Sequence, residues 1–490
     1  MVLNLVNCSF HYEMEKLSMA FFPDQKFKVY EEPPYNPDNL PEQITVEQSA
    51  PSPDEVKFKV TYQNGSFAVS KEETVAADTI LERAAGRVLY RCLSEGTGVT
   101  PKWGILTGVR PSKLMTSHML SEGEEAALDY FEDQLLVQPK RAQLALQVAK
   151  IEQEIMKTSV REAYSLYISI PFCPNRCSYC SFVSHSIATK SAKQLLPVYF
   201  ENLLKELEVT GSLMRGRKTK LRSVYVGGGT PSTLSAEQIR RLIACVKENF
   251  DMSHCREFTF EAGRPDTITE EKLLAIYESG VDRISINPQT MTDSILESIG
   301  RTHTAQDVKD TYAIARRIGF RNINMDLIAG LEGDTPQNFA RSLQEVLELD
   351  PESVTVHTLA YKRSSSTELS KEIFDRSNDT STMVDGSMTE LTSHGYIPYY
   401  MYRQTRSVGN LENVGWSKPG CESYYNIYMM EECHSILACG GGAVTKLKHP
   451  DKNEIRRVFN VKYPYEYNNR FDEILEHKAE ITAFLDEVDL

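Results

Sequence analysis

Six short apolar runs of six to nine residues punctuate the middle of the chain: "LYISIP" (166–171), "SVYVGG" (223–228), "EFTFEA" (257–262), "RISINPQ" (283–289), "NINMDLIAG" (322–330) and "SVTVHTL" (353–359). Their β-branched and aromatic content reads as strands. Between them lie stretches with apolar residues at helical spacing. In one of these, "SAEQIRRLIACVKENF", Ser235 stands three residues before Gln238 in a capping-box arrangement. Six alternations of strand and helix predict a parallel sheet with right-handed crossovers. Six units are too few to close an eight-stranded barrel, so the pattern predicts a partial barrel with its site at the C-terminal strand ends.

The flanks read differently. "KFKVYEE" is strand-like, and "VKFKVTYQNGSFAVS" places Asn64-Gly65 between alternating runs, a hairpin signal. Residues 31–55, with six prolines, read as a linker, and a helix is expected near 76–94. "NNRFDEILEHKAEITAFLDEV" reads as a terminal helix. A chain of 490 residues, 41% apolar and 25% charged, is long enough for two or three globular domains. Its net charge of -14 argues against a nucleic-acid partner. No apolar run reaches the ~18 residues of a membrane span, and charges interrupt the apolar N-terminus, so a cytoplasmic protein without a membrane partner is expected. Ten cysteines without a dense disulfide pattern are expected to be reduced thiols.

Three of those cysteines fall within eight residues, in "SIPFCPNRCSYCSF": Cys173, Cys177 and Cys180. Chance clustering of core cysteines is the weakest reading, because the stretch holds two prolines and is too short for helical periodicity. A structural zinc site normally takes two Cys-x2-Cys pairs, and no second pair follows. A 4Fe-4S cube held by three thiolates would leave one iron open to a small molecule. The Cys-x3-Cys-x2-Cys spacing, with Tyr179 before the last cysteine, resembles the signature of radical S-adenosylmethionine (SAM) enzymes. That resemblance implies an open iron that chelates SAM and an electron that cleaves it to a hydrogen-abstracting 5'-deoxyadenosyl radical. Downstream, Gly227 to Gly229 follow a strand and would let backbone approach a ligand closely, with N–H groups free to bond it. Glu261 is an acid near the top of an apolar strand, where burial without a partner is costly and a cation such as the SAM ammonium would relieve it.

Taken together, "YISIPFCPNRCSYCSF", "VGGGTPS", "FEAGRPDTIT", "GVDRISINPQT", "GRTH" and "NINMDLIAGLEGDT" resemble the radical SAM family of oxygen-independent coproporphyrinogen III dehydrogenases and their relatives, over about residues 160–450. "WGILTGVRPSKL" and "YYMYRQTRSVGNLENVGWSKPG" are similar to the HemZ-type branch. The resemblance implies an α/β fold: a radical SAM partial (β/α)6 barrel over 160–365, an N-terminal α+β domain over 1–155, and a partly helical, substrate-covering C-terminal extension over 366–490. It implies a 4Fe-4S cluster on Cys173, Cys177 and Cys180, with SAM contacts from Tyr167, Gly228, Gly229, Thr230, Glu261, Gln289, Arg301, Asp326 and Ala360. It also implies oxidative decarboxylation of porphyrinogen propionates to vinyl groups in heme biosynthesis, by a monomer fed by a flavodoxin- or ferredoxin-type electron donor. A tetrapyrrole substrate with four carboxylates needs cations, for which Arg403, Arg406 and Lys418 are candidates.

The chain departs from its relatives at three places. Phe182 stands where the coproporphyrinogen dehydrogenases have a further cysteine, and Tyr425-Asn426 where the heme-chaperone branch has His-Asn. Asn287-Pro288 replaces a glycine and a small apolar residue. A radical SAM enzyme that methylates or opens heme, or a non-catalytic heme carrier, would share the same core. His434, beside Cys433, is the histidine nearest Tyr425.

Overall fold

The structure, a computed structural model, describes residues 1–182, 184–360, 377–404 and 406–490. The chain forms two compact units, one of Met1–Ala149, Leu369–Ser381 and Met401–Glu412, the other of Lys150–Glu368, Thr382–Tyr400 and Asn413–Leu490. The expected boundary at 365/366 lies outside the described residues.

The first unit holds a five-stranded sheet built from β1 (Val2–Val6), β2 (Lys28–Tyr30), β3 (Glu42–Ser52), β4 (Glu55–Asn64) and β5 (Phe67–Ala76), in the order β2-β1-β3-β4-β5. The hairpin between β4 and β5 turns at Gly65, whose φ of +60° is open to glycine at little cost. Helices His11–Phe21 and Leu81–Thr97 cover one face, so that Leu3, Ile44, Val46, Phe58 and Val60 pack with Val88 and Leu89 in a dry core. The linker expected at 31–55 is corrected in its second half. Residues 42–52 form β3, which pairs with both β1 and β4. Pro51, at its frayed end, is the one proline it contains, and the alternation of Ile44 and Val46 outweighs the proline count.

The second unit is built on an eleven-stranded sheet, of which only Met401–Arg403 and Glu412 fall in the first unit. Its strands are β6 (Ala163–Ile170), β9 (Lys220–Gly228), β10 (Glu257–Gly263), β11 (Arg283–Ile286), β12 (Ile323–Ala329), β13 (Ser353–Thr358), β14 (Ile397–Arg403), β15 (Glu412–Ser417), β16 (Ser435–Cys439), β17 (Val444–Lys448) and β18 (Ile455–Phe459). Two-residue strands β7 (Phe172–Cys173) and β8 (His185–Ser186) pair separately. Strands β6, β9, β10, β11, β12 and β13 run parallel side by side, as the six runs predict. The array stays open: β13 pairs antiparallel with β15, and β6 pairs with β16. It is therefore an open α/β array of six parallel strands, the partial barrel expected from the sequence. Parallel strands are covered on both faces, and in β6 Leu166, Ile168 and Ile170 on one face and Ser165 and Ser169 on the other are all buried. Each such apolar side chain contributes about 1.5–3 kcal/mol by leaving water.

Polar caps fix where the crossover helices begin. Ser235 and Gln238 form both bonds of the capping box that opens Ala236–Asn249, and Thr304 with Asp307 does the same for Ala305–Ile318. Thr269 and Thr335 cap Glu270–Glu278 and Pro336–Glu348. Each helix thus starts just after the loop at a strand's C-terminal end, and those loops carry the unusual residues. The terminal helix spans Phe471–Glu487. Among the described residues no helix is long and apolar enough to cross a membrane.

Candidate functional site

Directly after β6 the chain forms a loop closed at its neck by the β7–β8 pair, Phe172 opposite His185 and Cys173 opposite Ser186. His185 N–H donates to Pro171 O at 2.9 Å and Ile187 N–H to Cys173 O at 2.8 Å. Cys177 and Cys180 ride on the loop, whose Ser178 N–H bonds Ile299 O at 3.1 Å. The three thiols, with Gly229, Thr230, Glu261, Arg264, Asn287 and Arg301, line one cavity of ≈ 80 Å³. Loops after four strands of the parallel array meet there.

Burial raises the Cys173 and Cys180 thiols above their ordinary pKa. Donors point at sulfur nonetheless: Thr230 Oγ1 lies 3.4 Å from Cys173 Sγ, and Arg264 Nη1 lies 3.6 Å from Cys177 Sγ. Such donors suit thiolates and would offset the burial. Among the described residues no three His, Cys, Asp or Glu side chains are close enough to hold a single metal ion. Three thiols spread around a cavity fit a cube of several irons, each thiolate on its own iron, better than one tetrahedral zinc. The cavity also holds unmet polar atoms, since Asn287 Oδ1 and Arg301 Nε are buried without hydrogen-bond partners among the described residues. The residues present therefore fit a cluster with a polar ligand beside it.

Glu261 sits on β10 with its pKa raised to about 7, chiefly by burial and further by Asp326. Tyr225 Oη donates to Glu261 Oε1 at 2.5 Å, and the Gly228 N–H also bonds the carboxylate. Tyr225 belongs to a cluster of three rings, with its centroid 4.5 Å from that of Tyr425 and Tyr167 6.3 Å from both. Asp326 on β12 is half-buried, and desolvation raises its pKa, but His357 and Asn324 outweigh this and hold it below the usual value. Gln289, at φ +69°, bridges to β12: its N–H donates to Asp326 O at 2.8 Å and its carbonyl accepts from Ile328 N–H at 2.9 Å. Arg301 donates to Asn287 O at 2.7 Å and to Tyr179 Oη at 3.2 Å. Ala360, half-buried, follows β13.

The glycine turn departs from expectation. The Gly229 and Thr230 N–H groups are taken by Ile170 O at 2.9 Å and Phe172 O at 2.7 Å, so they clamp the cysteine loop instead of facing a ligand. A Cβ on Gly229 would meet Phe172 O at 2.7 Å, and one on Gly228 would meet Ser169 Oγ at 3.0 Å. The close approach that needs glycine is thus to the loop itself.

The sequence model of the Radical SAM superfamily matches residues 167–346, from Tyr167 on β6 into the helix Pro336–Glu348. Over 400 residues the chain is 39% identical to the oxygen-independent coproporphyrinogen-III oxidase-like protein HemZ of Bacillus subtilis (strain 168), covering 80% of this chain and 79% of that protein. The chain belongs to the HemZ-type radical SAM family. Radical SAM proteins use a 4Fe-4S cluster and SAM, and so does this HemZ-type chain. It is also 30% identical over 322 residues to the heme chaperone HemW of the same organism, covering 61% of this chain and 77% of HemW. The fold is shared with coproporphyrinogen III oxidase (HemN) from Escherichia coli, described as a radical SAM enzyme, at a TM-score of 0.51 and 22% identity over 67% of this chain and 73% of that one.

Three expected cations lie elsewhere in this HemZ-type chain. Arg403 is buried in the first unit and bonds the carbonyls of Leu106, Gly108 and Asn410, and Arg406 is exposed in that unit. Lys418 pairs with Asp350 at 2.7 Å. None of the three lines the cysteine cavity. Conversely, Tyr225, Arg264 and His357 escaped the sequence reading, and Asn287 entered it only as a departure from the relatives. Arg264 had a signal, a cation one residue past an apolar strand and beside Pro265-Asp266, which it holds through Asp266 at 2.7 Å. Tyr425 stood out only as a departure from the chaperone branch. His434 is a core residue: buried, between Ser165 Oγ at 2.8 Å and Ser159 Oγ at 3.0 Å.

Proposed function

We propose that this chain is a radical SAM oxidoreductase that converts propionate side chains of a porphyrinogen to vinyl groups by oxidative decarboxylation. The observation that carries the reading is the convergence of three thiols and the cation-seeking Glu261 on one cavity at the strand ends. Cys173, Cys177 and Cys180 would hold the cluster, and Glu261 would take the SAM ammonium. When bound, the cluster and SAM supply reductive cleavage of the sulfonium to a radical that removes hydrogen from an unactivated carbon. The chain's own part is placement. Tyr225 and the Gly228 N–H aim the Glu261 carboxylate, while Thr230 and Arg264 stabilise thiolate sulfur. Arg301 and Asn287 present the unmet donor and acceptor that a SAM carboxylate or ribose would satisfy. The substrate loses a hydrogen from its propionate β-carbon. The bond between the neighbouring α-carbon and the carboxylate then breaks, carbon dioxide leaves, the double bond forms between the α- and β-carbons, and one electron passes to an acceptor. A flavodoxin- or ferredoxin-type donor would supply the initiating electron.

A heme carrier is the second reading, favoured by the likeness to HemW. Against it, Tyr425 stands where that branch has histidine, and burial raises its phenol well above the ordinary pKa, which keeps it a poor iron ligand. The test is anaerobic incubation of the cluster-loaded protein with SAM, reductant and coproporphyrinogen III. Products carrying vinyl groups are expected in the mass spectrum, together with 5'-deoxyadenosine that rises on adding porphyrinogen. Tight axial heme ligation without deoxyadenosine would make the chain a carrier, and a methylated or opened heme would make it a heme-modifying enzyme.

A further inference from the structure

The first unit contains a cavity of ≈ 480 Å³ whose lining comes entirely from that unit. None of the lining belongs to the cysteine cavity. Its size lies within the ~300–1,000 Å³ range of small-molecule sites. Among the described residues the charge of the lining is one-sided: Lys16, Lys102, Arg403 and Arg406 against the acid Asp24, in a chain whose net charge is -14. Hydroxyls and amides complete the polar part.

Arg403 is the anchor of the argument. Its side chain is 4% exposed, and its terminal nitrogens bond three backbone carbonyls, while Nε is buried without a hydrogen-bond partner among the described residues. Glu412 is the acid that acts on it, but that carboxylate is itself paired with Arg141 at 3.0 Å and accepts from Trp103 Nε1 at 2.7 Å. Burial accordingly lowers the Arg403 pKa to about 10. A buried cation whose hydrogen bonds go only to neutral carbonyls, with the Trp103 ring 5.4 Å from its guanidinium as a further weak partner, carries no counter-ion of its own among the described residues, and a nearby anion would stabilise it. The loop beside it adds a second sign. Arg406 holds φ at +66° and lines the same cavity, a strained conformation for a non-glycine residue that the surrounding structure must enforce.

We propose that this cavity binds a small organic polyanion, gripped by Arg403 at the end of β14, by Arg406 just after that strand, and by Lys16 and Lys102 from elsewhere in the unit. The shared chemistry is two or more anionic oxygen groups, carried by a polycarboxylate or by a phosphorylated compound. Full-length, cluster-loaded protein saturated with SAM would be titrated calorimetrically at low ionic strength with citrate and, separately, with ATP free of magnesium. One of the two is expected to bind with one site per chain, and Lys16→Glu combined with Arg406→Glu should weaken it roughly tenfold or more. Citrate binding assigns a carboxylate ligand, and ATP binding a phosphorylated one. Should the double variant lose its cooperative unfolding transition, Lys16→Gln, at a half-buried helical position, gives the same reading with a smaller loss. Binding by neither anion, or unchanged binding by a folded variant, would overturn the proposal.

Discussion

At Glu261 the burial that raises the carboxyl to about pKa 7 also leaves it in want of a cation. A carboxyl whose folded pKa lies above its ordinary 4.5 holds its proton more tightly in the folded chain. Its stabilising contribution is therefore present below pH 4.5 and lost as pH rises through about 7. The difference in unfolding temperature between cofactor-free wild type and Glu261→Gln should follow that window. The same substitution should weaken SAM binding by about 1–3 kcal/mol, the range for a hydrogen bond to a charged group, as equilibrium dialysis would show. Unchanged affinity would mean that the carboxylate serves the fold alone. At Cys177, which is buried and bonded by Arg264, Cys177→Ala should abolish iron incorporation on anaerobic reconstitution. Full iron loading would refute the ligand assignment.

The element that depends most on backbone contact is the turn after β9. Gly229 packs against Ile170 and Phe172, so an added Cβ would fall 2.7–2.9 Å from three backbone atoms that cannot yield without moving the cysteine loop. Gly229→Ala is expected to cost about 1–3 kcal/mol in urea unfolding, as overpacking does. Iron retention against a chelator should fall with it, because the loop that moves carries the thiols. Gly65→Ala in the β4–β5 hairpin, where a Cβ meets nothing within 4 Å, should cost stability through its φ of +60° alone and leave iron retention unchanged. A Gly229→Ala protein that keeps both stability and iron would show that the turn is looser than the contacts imply.

Across the second unit, one buried ion pair joins distant stretches of chain. Lys478 in the terminal helix and Glu206 in the helix Lys190–Met214 lie 2.7 Å apart, and Glu206 also accepts from Gly440 N–H, Asn460 and the Tyr467 hydroxyl. Beside it Tyr199 Oη receives Gly441 N–H and donates to Ser169 O, two residues before Pro171 and the cysteine loop. Removing one partner leaves the other charge buried without its counter-ion. Lys478→Met should therefore cost about 3–5 kcal/mol in denaturant unfolding, and Glu206→Gln with Lys478→Met clearly less. Equal losses from the single and the double change would show that the pair is not coupled.

The local pattern of the chain determined its elements and its chemistry. Alternating runs set the six parallel strands, Ser235 and Gln238 set a helix start, and the spacing of Cys173, Cys177 and Cys180 marked the loop, because all of these act through neighbours a few residues apart. Local pattern failed where distant groups decide. Residues 42–52 looked like linker by their prolines but become a strand because β1 and β4 flank them. The Gly229 N–H looked free but meets the Ile170 carbonyl about sixty residues upstream, as the Thr230 N–H meets that of Phe172. Arg403 looked like a substrate contact, yet its partners at 106, 108 and 410 bury it in the other unit. Backbone propensity and ligand spacing are short-range and are written in the sequence. Burial, and the partner that satisfies each buried charge, arise only when remote segments pack together.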